Sequence, residues 1–138
     1  MIILDTNVIS ELMRPAPDGR VIRWVDALAS SDGWTTSVTY AEIAAGIALL
    51  PRGSRQRHLA DAFDQMRALL DSHVLSFDAN AASEYGGVIA RRSRIGRPIS
   101  VVDAQIAAIG ITAGATIATR NTADFAETGA DVINPWES

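Results

Sequence analysis

The chain has 138 residues, 48% of them hydrophobic and 20% charged, with a net charge of −4 and no cysteine. Such a balance predicts one globular domain over residues 1–138 and excludes a disordered or fibrous chain. No apolar run approaches the roughly 20 residues that cross a bilayer, and the first ten residues lack the basic start of a secretion signal, so no membrane partner is expected. Without thiols there is no disulfide and no thiolate metal site, which suits a cytoplasmic location.

Residues 2–4 are a short apolar run ending at Asp5, the pattern of a buried strand. A short helix is predicted over 7–13, broken by the proline-rich stretch 14–19. Val21, Ile22, Trp24, Val25 and Leu28 mark a second amphipathic helix. A strand is expected over 34–38 and a helix over 40–50. Leu59, Phe63, Met66 and Leu70 then recur at helical spacing. A strand over 73–77, a long helix over 78–95 and a helix over 100–113 follow. The last elements are a strand over 116–119, a short helix over 123–127 and a strand over 131–133. Strands alternating with helices predict an α/β fold: a mostly parallel central sheet with helices on both faces, three layers deep.

In open sheets of this kind ligands bind beyond the carboxyl ends of the strands. Asp5 follows the first strand, and Glu42, Asp103 and Asp124 each fall near the start of a later helix. The same residues suit helix capping. Thr39-x-x-Glu42 and Ser100-x-x-Asp103 match capping boxes, and Asn121-x-x-Asp124 resembles one. Capping does not account for the repeated acidity of one sheet edge, nor for an aspartate directly after an apolar strand. Converging carboxylates repel unless a cation joins them. Hard oxygen donors with no cysteine or histidine beside them suit Mg2+ or Mn2+ over zinc. Such a site suits phosphodiester hydrolysis, with Thr6, Asn7, Thr119 and Asn121 placed to orient water. His58 and His73 lack metal-motif spacing.

All twelve basic residues are arginine. Arg91, Arg92, Arg94 and Arg97 form one cluster, and Arg52, Arg55 and Arg57 another. An arginine fork grips phosphate at two points, so the first cluster is expected to track a nucleic-acid backbone.

On these residues the chain resembles the PIN-domain family, specifically the VapC/FitB-type toxins of bacterial toxin–antitoxin pairs. The opening Ile3-Leu4-Asp5-Thr6-Asn7 matches the family's start. Ser37-Val38-Thr39-Tyr40-Ala41-Glu42 matches its second acid, and Asp103-Ala104-Gln105-Ile106 its third. Thr119-Arg120-Asn121-Thr122-Ala123-Asp124-Phe125 matches its fourth, and Asn134-Pro135-Trp136 its close. The resemblance implies Asp5, Glu42, Asp103 and Asp124 as metal-bearing acids, with Thr119 and Asn121 in support. It also implies Mg2+- or Mn2+-dependent cleavage of RNA, a homodimer, neutralisation by a cognate antitoxin, and DNA association through that antitoxin.

Two other readings fit parts of the pattern. A haloacid-dehalogenase-like phosphatase also begins with an apolar strand and aspartate, but expects Asp-x-Asp where this chain has Asn7. Both it and a receiver domain expect a lysine, and the chain has none. A non-catalytic PIN-like module that binds RNA or protein would use the acids only as caps. The helix face of Leu59, Phe63, Met66 and Leu70 serves either the domain's own core or a dimer contact.

Overall fold

Buried apolar triplets and pairs supply the strands. In the computed structural model, which describes residues 1–137, the order is β1 (Ile2–Leu4), α1 (Thr6–Leu12), α2 (Gly19–Asp26), β2 (Gly33–Thr36), α3 (Ser37–Ala48), α4 (Ser54–Leu70), β3 (Val74–Leu75), α5 (Ala79–Arg94), α6 (Val101–Ala113), β4 (Thr116–Ala118), α7 (Thr122–Phe125) and β5 (Asp131–Ile133). The strands lie in the order β3-β2-β1-β4-β5, and every pairing is parallel. The chain builds outward from β1 to β3, then returns to lay β4 against the other side of β1. Its direction of growth therefore reverses between β1 and β4. At such a reversal the connections diverge to opposite faces and open a crevice at the strands' carboxyl ends.

Successive strand residues face opposite layers, as the pleat demands. Ile3 and Ile117 face α5 and α6, with Val88, Ala104, Ile106–Ile109 and Phe125 buried around them. Leu4 and Ala118 face α1 to α4, where Val8, Ile9, Val21, Ile43 and Trp136 are buried. The three-layer α/β/α expectation is met. Helix α6 carries small and branched apolar residues on nearly every side because it lies in the core. Its Gly110 lets it approach β4 closely: a Cβ there would lie 3.1 Å from the Ile117 side chain. Gly114 ends the helix in the left-handed region at φ 63°, where side chains are disfavoured.

Several boundaries differ from expectation, and one matters for function. β2 stops at Thr36, and α3 begins at Ser37 instead of residue 40. Thr36 is the cap: its Oγ1 accepts the Thr39 N–H at 3.0 Å. The Thr39-x-x-Glu42 capping box is not formed, and Glu42 sits in the second turn of α3. The strand expected over 73–77 shortens to Val74–Leu75, because Asp71–His73 form a 3-10 turn.

The arginine cluster at the end of α5 is also not what the sequence suggests. Arg92 is buried, and its guanidinium donates to the carbonyls of Arg97, Ala123 and Ala126 at 2.8–3.0 Å. Arg91 donates twice to the Thr128 carbonyl. Both fasten the segment around α7 to α5, so neither is free to track a nucleic-acid backbone. Arg94 and Arg97 are exposed. On α4, Leu59, Phe63, Met66 and Leu70 pack against the α1-side core, so this stripe serves the domain's own packing.

Candidate active site

The crevice between β1 and β4 is closed by hydrogen bonds that begin at Asp5. This residue caps α1: Oδ1 accepts the Thr6 N–H at 2.8 Å. Oδ2 accepts the Thr119 hydroxyl at 2.8 Å and the Asn7 amide at 3.3 Å. Thr119, the first residue past β4, is a hub. Its Oγ1 also accepts Asn7 Nδ2 at 3.0 Å and the Asn121 N–H at 3.1 Å. Asn7 completes the lacing, its Oδ1 accepting the Arg120 N–H at 3.1 Å. The turn after β1 is thus tied to the turn after β4, which fixes the Asp5 carboxyl in place.

The other acids approach from neighbouring elements. The Thr6 hydroxyl donates to Glu42 Oε1 at 2.5 Å, which draws α3 toward α1. Asp103 lies in the first turn of α6, its N–H bonded to the Ser100 cap at 3.1 Å. Its carboxyl is half-buried. Asp124 is exposed in the first turn of α7. Burial pushes the Asp5 carboxyl up to about 6, reinforced by the Asp103 and Glu42 charges and opposed by the Thr119 and Thr6 hydrogen bonds. Burial likewise raises Asp103, and the charges of Asp124 and Glu42 push it the same way. Asp5 thus feels the charges of Asp103 and Glu42, and Asp103 those of Asp124 and Glu42.

Among the described residues the ion pairs are Arg14–Glu11, Arg20–Asp18 and Arg67–Asp71, and none involves these acids. Nor do three or more of them stand together as a ready-made metal cage among the described residues.

The supporting residues divide. Thr119 is central, and Thr6 links Asp5's helix to Glu42. Asn121 occupies the cap position of α7 without a side-chain cap bond, and joins the network through its backbone N–H. The capping box proposed for Asn121 and Asp124 is therefore absent. His58 is exposed on α4, and His73 lies edge-on to Trp34 with ring centroids 4.4 Å apart. Beside Glu42 opens a groove of about 280 Å³ lined by Thr6, Ile43, Gly46, Arg55 and Leu59, which brings Arg55 of the second arginine cluster to the site. Arg92, unremarked among four similar residues in sequence, holds α7 in place and its charge lowers the Asp103 pKa slightly against the trend.

An all-parallel α/β/α sheet with coupled acids at its switch point defines the structural class. Within that class, the chain belongs to the PIN-domain family, whose pattern matches residues 2–131. It is 42% identical over 139 residues to the plasmid stability protein StbB of Pseudomonas syringae pv. tomato, covering 100% of both chains. The VapC ribonuclease Y4jK of Sinorhizobium fredii is 38% identical, with 99% of each chain covered. Toxin FitB of Neisseria gonorrhoeae is 37% identical, also with 99% of each covered. In the solved structure of FitAB bound to the IR36 DNA fragment, one chain superposes with a TM-score of 0.90 at 37% identity, covering 99% of this chain and 96% of that one.

Proposed function

We propose that this chain is the toxin of a toxin–antitoxin pair: an endoribonuclease that hydrolyses RNA phosphodiester bonds with a divalent cation, Mg2+ or Mn2+. One observation carries the reading. A buried aspartate, Asp5, is locked at the switch crevice and coupled to Glu42 and Asp103, and among the described residues no basic side chain is ion-paired to any of them.

Asp5, Glu42, Asp103 and Asp124 are the residues that would hold the ion. They fit it by chemistry, since all offer hard oxygens and none of them is ion-paired among the described residues. When bound, such an ion supplies Lewis acidity that activates water and offsets charge building on the phosphate. The chain's own residues prepare the site. Thr119 and Asn7 aim the Asp5 carboxylate, and Thr6 steers Glu42. The Asn121 side chain, free of capping duty, is available to orient water or substrate.

The relatives supply the setting, since one is named a ribonuclease, one a toxin, and FitAB was solved as a complex on DNA. Carried to this chain, they support a cognate antitoxin as partner and DNA association through it; a homodimer acting in the cytoplasm is part of the same proposal. Purified protein should cleave single-stranded RNA with Mg2+ or Mn2+ and stop when EDTA is added. Cleavage that persists in EDTA, or in Asp5→Asn, would defeat the assignment.

A second reading, a non-catalytic RNA- or protein-binding module, draws on the absence of a ready-made cage among the described residues. Melting separates the two. An ion that binds the folded state raises the midpoint. No shift at millimolar Mn2+ would favour the binding module.

A further inference from the structure

One arginine stands apart from the others whose partners are known. Arg14, Arg20 and Arg67 pair with acids, and Arg91 and Arg92 donate to carbonyls. The Arg120 guanidinium makes neither contact among the described residues, although its charge reaches Asp18 at the start of α2. Its carbon lies 5.1 Å from the centroid of the Trp136 ring. Trp136 is only 5% exposed, anchored in the α1-side core, so the platform cannot swing away. The backbone of Arg120 is fixed as well, through its N–H to Asn7 and through its neighbours Thr119 and Asn121 in the Asp5 network.

Stacking on an indole face orients a guanidinium without consuming its N–H donors. Arg120 is exposed, and its backbone lies one residue from the hub that holds Asp5. An acidic crevice on a chain of net charge −4 repels a polyanion, so a substrate phosphate near it needs a fixed cation at the rim. We propose that Arg120, presented by Trp136, grips an RNA phosphate flanking the bond to be cut. The proposal rests on the ribonuclease reading and adds the residue that holds the strand.

The test measures binding of a fluorescein-labelled single-stranded RNA oligonucleotide by anisotropy, over a range of salt, in the cleavage-impaired Asp5→Asn protein with and without Arg120→Gln. Loss of one charge-assisted contact should weaken binding roughly tenfold. The slope of log affinity against log salt should flatten by about 0.7, the share of one phosphate on a single strand. Arg120→Lys should restore the slope but only part of the affinity, since an ammonium neither stacks nor forks as arginine does. In the otherwise wild-type enzyme Arg120→Gln should raise KM more than it lowers kcat. Unchanged affinity and slope would overturn the proposal and leave the fork to an acidic segment of a protein partner. A large fall in the melting midpoint of Arg120→Gln would overturn it too, marking the residue as structural. If the parent protein neither binds nor cuts RNA, the ribonuclease reading itself fails, an outcome distinct from a parent that binds equally well without Arg120.

Discussion

Asp5 and Arg92 are both charged, and each is 4% exposed, yet they occupy opposite kinds of environment. At the switch crevice, Asp5 accepts from hydroxyl, amide and backbone donors, while other acids press on it and no basic side chain among the described residues pairs with it. At the end of α5, Arg92 spends its donors on three carbonyls that tie neighbouring segments together. One charge is kept under electrostatic stress, and the other is satisfied. Burial of a charge does not by itself mark a site; the mark is a buried charge whose surroundings disfavour it.

The widest gap between the two should be in activity and folding. Asp5→Asn keeps the cap and nearly the same shape, so RNA cleavage should fall by at least about two orders of magnitude with the circular dichroism spectrum unchanged. Arg92→Met should do the reverse. It leaves three carbonyls without their donor and should cost about 2–4 kcal/mol in urea unfolding. If Arg92→Met folds as stably as the parent, the contrast is broken.

Titration sharpens the comparison further. The Asp5 carboxyl is raised from 3.8 to about 6 in the folded protein. Between those values the native state holds more protons than the unfolded chain, so stability of the metal-free protein should fall as pH rises from about 4 to above 6. The raised Asp103 acts in the same sense. At pH 7, without added metal, Asp5→Asn should be the more stable by something on the order of 1–3 kcal/mol. A denaturation series showing stability rising across that window would contradict the assigned burial. The smallest effect is expected at Arg94, two residues from Arg92 but exposed. Arg94→Gln should move stability by no more than about 0.5 kcal/mol.

Much of this was legible in sequence, for identifiable reasons. Three apolar residues followed by an acid can end a buried strand in few ways, so β1 and Asp5 were plain. Gly114 and the dense apolar run of α6 likewise announced a core helix. The start of α3 was not legible, because Thr36 and Thr39 are equally good caps and Val38 has strand character. Only the 3.0 Å bond from the Thr39 N–H to Thr36 decides between them. That choice changes what Glu42 means, since it moves the residue out of the capping position. Arg92 was hidden for another reason. Four arginines in seven residues look alike until tertiary structure shows which one turns inward.

The sheet's outer strands also constrain how other proteins can recognise this one. β3 has two residues and β5 has three, so neither rim offers a ladder long enough for β-augmentation. Edge-to-edge fibre growth is discouraged for the same reason. Any binding protein, including a neutralising one, must dock on helical faces or reach into the crevice itself.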